Sequence, residues 1–386
     1  MLWQHDLCDA GSTTFGASLA LDPSGDVLVA GSFFQSAYIA KLSGATGDKI
    51  WDDVIAPSNA QRTALSIGAS SNGDVRVATW QNDTITIFGY GSDGTLQFQR
   101  ELTNSLGSAK LRGFAVDSAG FSVVSEFDTD GNNQTAGRIS RIDNFGSFVW
   151  QVQGAGGHVA TDSAGNVIAG GINAVIEYDA ATGTALWTVA VPATAVIADA
   201  QGNVFATGTW GVQPDDDIVT SKIGSDGTIL WSHAYVDPGH SGNGASIALD
   251  ASGNPVATGF GSASSGSATV QTTLKYSTND GHVLWTATDQ DSLGGSFPYA
   301  VNAGSGGAAT VGSIFNASTG GLGGIYAIRY ADGGTTTKVD PVLALASSAN
   351  PSTAGDSVTF TATVTGSAGT PSGSVTFLDG STAICS

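Results

Sequence analysis

A hairpin pattern that returns along the chain constrains the fold more than any other feature. Each copy is an alternating apolar strand, then Asp-x-x-Gly, then a second alternating strand that ends in small residues. Clear copies lie at 19–33, 114–127, 159–171, 196–210 and 247–261, and degenerate copies lie at 66–80 and 300–313. Aspartate caps such a turn with its side chain, and glycine supplies the positive φ that closes a short hairpin. The pattern therefore predicts a series of antiparallel hairpins.

A third strand, a polar turn and a fourth strand follow each hairpin. Examples of the third strand are 38–42, 175–179, 273–277 and 325–330. Four short antiparallel strands per unit, at a period of roughly 37–52 residues, are typical of β-propeller blades. No window shows a sustained 3.6-residue apolar period, which predicts an all-β fold with almost no helix.

The turn before the fourth strand carries a glycine four residues ahead of an aromatic side chain. The pairs are Gly47/Trp51, Gly94/Phe98, Gly146/Trp150, Gly183/Trp187, Gly227/Trp231 and Gly281/Trp285. The last repeat has the turn "ADGG" at 331–334 but no aromatic residue after it, whereas "LWQHDL" at 2–7 resembles "LWSHAY" at 230–235 and lacks a preceding turn. The sequence therefore predicts that the N-terminal segment is the outer strand of the last blade and closes a ring of seven blades.

The aromatic series has a structural interpretation. An aromatic side chain after a tight turn buries a large apolar area, and an indole donates its N–H to a nearby carbonyl. We therefore interpret the series as side chains that dock one blade on the next: Trp3, Trp51, Phe98, Trp150, Trp187, Trp231 and Trp285.

The composition changes at about residue 335. Residues 335–341 read as a polar linker, and the alternation at 357–365 and 373–380 is that of β-sandwich strands. About 45 residues remain there, against the ~100 of a complete Ig-type sandwich. We therefore expect a seven-bladed β-propeller over 1–334 and a truncated Ig-like domain over 342–386.

These motifs resemble known families. The "DxxGNVxxxG" hairpins resemble the bacterial β-propeller repeat family, and "YDAATGTALWTVAV" at 178–191 resembles a pyrroloquinoline-quinone-like propeller repeat. The tail, with "PSTAGDSVTFTATVT" and "TPSGSVTFLDG", is similar to bacterial Ig-like domains that occur in tandem on secreted and surface proteins. The resemblance implies an extracellular or cell-surface location and further Ig-like domains in the full-length protein. Such repeats are specific for fold and not for function.

The charge of the chain excludes some partners. The 33 acidic and 13 basic residues give a net charge of −20, so the chain has no broad basic face for nucleic acid. No apolar run approaches the ~18 residues of a membrane span, and the first residues show no signal peptide. Cys8 and Cys385 have no metal-site spacing, and whether they pair is left open.

No constellation of residues predicts catalysis. The quinone enzymes that the resemblance suggests carry a central calcium with Glu, Asn and Asp ligands, a catalytic aspartate and, in many, adjacent cysteines. This sequence has no adjacent cysteine pair and few glutamates. We expect no cofactor and nominate no catalytic residue. The alternative is a propeller enzyme, either a quinone-dependent dehydrogenase or an extracellular lyase or hydrolase.

One loop is a candidate for calcium. "DTDGNN" at 128–133 places the oxygens of Asp128, Asp130 and Asn132 at alternate positions. It departs from the EF-hand pattern, because glycine stands at position four and Ile139 at position twelve. An ordinary Asx-rich turn is the other interpretation.

The loops after the second strands are the candidate ligand-binding surface. Four of these loops are long. Six of the loops begin with an aromatic residue: Phe34, Trp80, Phe127, Trp210, Phe260 and Phe315. A second acidic loop contains Asp215, Asp216 and Asp217. These aromatic side chains either pack between blades or form an aromatic, acidic face for a carbohydrate or a protein loop. The sequence thus predicts a non-catalytic binding, adhesion or scaffold module.

Overall fold

The regular structure of the described chain is entirely β-strand. The computed structural model describes residues 14–33, 36–55, 62–82, 84–102, 108–129, 135–154, 157–211, 217–235, 240–263, 269–289, 294–304, 307–316, 321–331, 342–348, 359–365, 377–379 and 382–385.

The first 27 described strands group into seven consecutive sheets, which we call blades 1 to 7. Blade 1 contains β1 (Thr14–Leu21), β2 (Val27–Phe33), β3 (Ser36–Leu42) and β4 (Lys49–Ile55). Blade 2 contains β5 (Thr63–Ala69), β6 (Val75–Gln81), β7 (Thr84–Tyr90) and β8 (Leu96–Leu102). Blade 3 contains β9 (Ser108–Val116), β10 (Ser122–Thr129), β11 (Thr135–Ile142) and β12 (Phe148–Gln153). Blade 4 contains β13 (Val159–Thr161), β14 (Val167–Gly170), β15 (Val175–Tyr178) and β16 (Ala185–Val189).

The remaining blades follow the same plan. Blade 5 contains β17 (Ala195–Ala198), β18 (Val204–Trp210), β19 (Asp217–Ile223) and β20 (Ile229–Tyr235). Blade 6 contains β21 (His240–Leu249), β22 (Pro255–Ala263), β23 (Thr269–Tyr276) and β24 (Val283–Asp289). Blade 7 contains, among the described residues, β25 (Gly294–Gly304), β26 (Gly307–Asn316) and β27 (Gly321–Tyr330).

Blades 1 to 7 form a β-propeller. Within each blade the strands pair in sequence order, and every pairing is antiparallel. The first strands of consecutive blades contact one another, from β1 with β5 to β21 with β25. The first strands therefore line the central axis, and the fourth strands lie at the rim. The all-β, seven-bladed architecture predicted from the repeats is confirmed.

The hairpin turns are held by the aspartate that opens them. Asp250 Oδ1 accepts bonds from the amides of Ser252 and Asn254, both at 2.8 Å, and Asp250 Oδ2 lies 2.8 Å from Lys275 Nζ on β23. Burial acts to raise the pKa of Asp250, but Lys275 and the turn amides outweigh it and lower that pKa below its usual value. Equivalent ion pairs join Lys41 to Asp22 at 2.7 Å and Arg141 to Asp117 at 2.6 Å. Each pair ties the third strand of a blade to its hairpin turn.

The hydrophobic core is divided among the seams between blades. Six clusters of buried apolar residues fill the six seams from blades 1 and 2 to blades 6 and 7. At each seam an aromatic residue of the fourth strand reaches the next blade. Indole N–H groups donate to carbonyl oxygens of that blade's third-to-fourth turn: Trp51 to Ser92 at 3.1 Å, Trp150 to Ala180 at 2.9 Å, Trp187 to Ser225 at 3.2 Å and Trp231 to Thr278 at 3.2 Å.

The turn glycine contacts the aromatic ring of the preceding blade, and not the ring four residues later in its own blade. A Cβ atom on Gly183 would lie 2.7 Å from the ring of Trp150, and one on Gly281 would lie 2.5 Å from Trp231. Both glycines also have positive φ, of 69° and 72°. The glycine is therefore required twice, for the turn and for the docked ring. In blade 2 the docked residue is Phe98, and the guanidinium of Arg76 lies 5.2 Å from its ring.

The seam between blades 7 and 1 differs from the others in the described structure. Leu19 and Leu21 are 66% and 63% exposed, whereas their repeat equivalents Ile67 and Ala69 pack against the preceding blade. The closing strand at 2–7, with Trp3, lies outside the described residues. Ring closure by the N-terminal segment stays a prediction.

A second compact unit spans Gly334–Ser386. Its described strands are β28 (Val342–Ser347), β29 (Phe360–Thr365), β30 (Phe377–Asp379) and β31 (Thr382–Cys385). β28 pairs with β29 and β30 pairs with β31, both antiparallel. The Ig-like assignment of this unit stays a prediction.

Candidate binding site at the channel mouth

A β-bulge recurs in the first strands, always five residues before the position of the turn aspartate. In five blades the bulged residue has no partner on the second strand: Ala17, Leu65, Arg112, Ala245 and Tyr299. In blades 4 and 5 the strand begins after this position, which Gly157 and Thr194 occupy. A bulge re-aims its extra side chain out of the regular alternation. Because first strands line the axis, these seven positions, which we call the bulge ring, surround the central channel.

The bulge lies near the middle of the longer first strands, β9, β21 and β25. Each first strand begins at the connection from the previous blade and ends at the Asp-x-x-Gly turn. The loops between second and third strands lie at the end where the first strands begin, since neighbouring strands are antiparallel. The half of each first strand that precedes the bulge therefore runs toward the face that carries the long, unequal loops.

An aromatic pocket opens at the bulge ring between blades 5, 6 and 7. It has a volume of about 390 Å³ and is lined by Thr194, Thr209, Asn243, Gly244, Ala245, Phe260, Phe297, Pro298 and Tyr299. The rings of Phe260 and Phe297 meet edge to face with centroids 5.1 Å apart. Tyr299, the bulged residue, is 67% exposed, and its hydroxyl lies 2.6 Å from Ser313 Oγ. The lining is thus apolar and aromatic, with uncharged hydroxyl and amide groups beside it.

A basic pocket opens at the bulge ring between blades 2, 3 and 4. It has a volume of about 330 Å³ and is lined by Ser66, Leu111, Arg112, Gly113, Phe114, His158 and Val159. Arg112 is exposed, and its guanidinium carbon lies 5.5 Å from the centroid of the Phe127 ring. Desolvation lowers the pKa of His158 below its ordinary value. The two pockets therefore offer different chemistry at one channel mouth.

The predicted ligand-binding residues divide into three groups. Phe260 lines the aromatic pocket, whereas Trp210, with 59% of its surface exposed, lines neither pocket. Trp80 packs with the apolar residues of the seam between blades 2 and 3, which is the structural alternative. Asp217 begins β19, opposite Trp210. Phe34, Asp215 and Asp216 lie outside the described residues, as does the side chain of Phe315.

The calcium candidate is only partly described. Asp128 belongs to β10, where it pairs with Ala109 and Ala136, while Asp130 and Asn132 lie outside the described residues. In the part of the chain that the structure describes, no three His, Cys, Asp or Glu side chains form a group able to hold a metal ion. The described bulge ring also supplies no carboxylate ligand for a calcium–quinone group, so we derive no step through one.

Sequence reasoning missed the residues that line the pockets most directly. These residues stand in first strands or just before them: Arg112, Tyr299, Phe297 and His158. One extra residue in an alternating strand is difficult to recognise from the sequence pattern. The available signal is positional, because Arg112 and Tyr299 stand five residues before the turn position in their repeats. Gly113 is a second signal, since a Cβ there would lie 2.7 Å from the backbone nitrogen of Val159.

Comparison with known proteins supports the repeat assignment. Residues 135–288 match the PQQ_2 family, described as outer membrane protein assembly factor BamB. The matched residues run from β11 in blade 3 into β24 in blade 6. The resemblance to quinone-like propeller repeats is therefore confirmed, and the family is associated with the bacterial envelope. No curated protein sequence matches the chain.

Three solved structures are similar to the chain. Virginiamycin B lyase from Staphylococcus aureus is 12% identical with a TM-score of 0.50, and the match covers 78% of this chain and 94% of that one. BamB from Moraxella catarrhalis is 15% identical with a TM-score of 0.48, covering 82% and 85%. Quinohemoprotein alcohol dehydrogenase from Comamonas testosteroni is 11% identical with a TM-score of 0.44, covering 79% and 65%. The comparison with the lyase supports the propeller fold, and identities this low support no activity.

In the part of the chain that the structure describes, no helix has the length and apolarity that a membrane span requires.

Proposed function

We propose that the propeller is a non-catalytic binding module of a bacterial envelope protein, secreted or displayed at the cell surface, that holds a protein segment at the channel mouth. The observation that carries this proposal is the aromatic pocket, in which the bulged Tyr299 and the paired rings of Phe260 and Phe297 line one cavity. Binding sites of this kind combine an apolar lining with a few polar groups that fix orientation.

The chemistry of the aromatic pocket favours an apolar side chain with backbone on either side. The phenyl rings supply an apolar surface, and aromatic side chains are enriched at the centres of protein interfaces. Asn243 and Thr194 line the same pocket, and an exposed peptide backbone needs such donors and acceptors.

The pockets favour binding over covalent chemistry. A serine or threonine becomes a nucleophile when its hydroxyl donates to a histidine or carboxylate. Among the described residues of the two pockets, no hydroxyl makes such a bond; Thr209 Oγ1, for example, donates to the amide oxygen of Asn243 at 3.4 Å. The proposal therefore assigns the pockets to recognition.

Panning of a phage-displayed library of random peptides tests this function. We expect the wild-type chain to enrich peptides whose affinity falls at least tenfold in Tyr299→Ala. The Trp210→Ala variant is the matched control, because Trp210 is an exposed aromatic residue that does not line the pocket. Loss of binding in Trp210→Ala but not in Tyr299→Ala would move the site to the loops. A glycan array with the same variants would assign the pocket to carbohydrate if sugars alone bind in a Tyr299-dependent manner.

A further inference from the structure

The arginine of the basic pocket, Arg112, differs from most basic side chains of the propeller in its contacts. Most basic side chains of the propeller are committed to ion pairs or to carbonyl groups. In blade 3, Arg141 pairs with Asp117 and Arg138 pairs with Glu126. Arg112 makes no ion pair or hydrogen bond with a described residue, and its contact is the face of Phe127. Stacking of this kind fixes the plane of a guanidinium and leaves its N–H edge available.

The position of Arg112 is built by the fold. Gly113 pairs with Ser125 and Leu111 pairs with Glu126, so Arg112 stands between them without a partner and points out of the sheet. Gly113 lets the first strand of blade 4 approach closely. The approach brings His158 and Val159 to the side of Arg112, and both line the same pocket.

The side chains of Ser66 and His158 in this pocket also lack hydrogen-bond partners among the described residues. Serines at the repeat position of Ser66 bind the next blade elsewhere: Ser18 Oγ accepts from the Ile67 amide, and Ser246 Oγ accepts from the Val301 amide, both at 3.2 Å. The hydroxyl of Ser66 makes no such bond with a described residue. The imidazole of His158 likewise makes no hydrogen bond with a described residue. Guanidinium, hydroxyl and imidazole groups thus converge with several N–H and O–H donors.

We propose that the basic pocket binds a carboxylate group of the ligand, with the guanidinium fork of Arg112 as its principal contact. A planar carboxylate accepts two parallel bonds from arginine, and such charge-assisted pairs are about twice as strong as neutral ones. The chain has a net charge of −20, which repels anions, and Arg112, which pairs with no described residue, gives an anion a local positive site at the bulge ring. The proposal deepens the proposed function and rests on it where the carboxylate belongs to a protein segment.

Capped tripeptides test the proposal. Acetyl-Gly-Glu-Gly-amide carries one carboxylate, acetyl-Gly-Gln-Gly-amide carries none, and glutarate supplies the same group without a backbone. Saturation-transfer NMR titrations of the full chain measure the affinity of each. We expect the glutamyl peptide to bind at least tenfold more tightly than the glutaminyl peptide, and Arg112→Gln to abolish that preference. Arg112→Lys keeps the charge without the fork, and we expect an intermediate loss.

A matched variant separates a built site from general attraction. Lys49→Gln removes one positive charge from the rim strand β4, where Lys49 pairs with Asp52 at 2.9 Å. We expect it to leave all three affinities unchanged. Equal binding of the two peptides, no detectable binding of any probe, or an equal loss in Lys49→Gln and Arg112→Gln would overturn the carboxylate site.

The outcomes also separate this site from the proposed function. Arg112-dependent binding of glutarate alone would keep the carboxylate site and assign it to a free organic acid, against a protein segment as ligand. Tyr299-dependent binding of library peptides with no Glu-over-Gln preference would keep the function and reject the carboxylate site.

Discussion

Removal of a docked indole tests how the blades are held together. Trp150 is 8% exposed, its ring lies under Gly183 of the next blade, and its N–H donates to Ala180 at 2.9 Å. Trp150→Ala removes the ring and its hydrogen bond together. Trp150→Phe keeps most of the ring, and blade 2 already uses phenylalanine at this position, as Phe98.

The expected costs follow from burial and hydrogen bonding. A tryptophan side chain buries about 150–250 Å², and truncation of a buried tryptophan to alanine costs about 3–5 kcal/mol. The hydrogen bond contributes about 1 kcal/mol, and Ala180 is only half-buried, so water can reach its carbonyl. We therefore expect Trp150→Ala to lower the free energy of unfolding by about 3–5 kcal/mol, and Trp150→Phe by about 1–2 kcal/mol.

Urea unfolding followed by far-ultraviolet circular dichroism measures both costs without relying on the removed fluorophore. Trp210→Ala is the control, because Trp210 is 59% exposed and a surface substitution of this kind changes stability by about 0.5 kcal/mol or less. A Trp150→Ala midpoint equal to that of the control, or equal losses for Trp150→Phe and Trp150→Ala, would refute the docking account.

Three further predictions test the turns, the ion pairs and the closure. Gly183 and Gly253 both have positive φ, but a Cβ on Gly183 would lie 2.7 Å from Trp150, whereas a Cβ on Gly253 would meet no atom within 4 Å. We therefore expect Gly183→Ala to lower the urea midpoint clearly more than Gly253→Ala does. Equal shifts would contradict the steric argument. The pKa values of Asp22 and Asp250 are lowered, so both carboxylates stabilise the fold above the ordinary carboxyl pKa, and this stability is lost as the pH falls through their folded values. In Asp250→Asn we expect the urea midpoint to fall less steeply as the pH drops below about 4. An unchanged pH dependence would show that the Asp250 carboxylate does not contribute to it. Trp3→Ala should lower the midpoint as Trp150→Ala does if Trp3 docks on Gly47, and no change would reject ring closure by the N-terminal segment.

The sequence predicts the fold well because the turns are local chemistry. Asp250 caps the hairpin that contains it, and Gly183 adopts the positive φ that its turn requires. These relations span a few residues, so a single repeat shows them. The sequence also predicts that Trp150 docks on the next blade, but the contact of its ring with Gly183 joins two blades and is not visible within one repeat.

The pockets at the bulge ring are less visible in the sequence for a physical reason. The loop aromatics Trp80 and Trp210 have the composition of a binding surface, but Trp80 packs in a seam and Trp210 is not part of either pocket lining. Arg112 and Tyr299 reach the channel because a bulge turns them out of the sheet, and a bulge depends on the register of two strands. Register is fixed by pairing between strands and is not visible in one strand alone.

Hydrogen exchange of the full chain, with and without a peptide enriched on the wild-type protein, tests the central claim that ligands bind at the bulge ring. The account predicts added protection of backbone amides in 108–116 and 294–304, which contain Arg112 and Tyr299, and unchanged exchange in the turns at 22–25 and 250–253. Protection confined to those turns or to the rim strand β4 would contradict it.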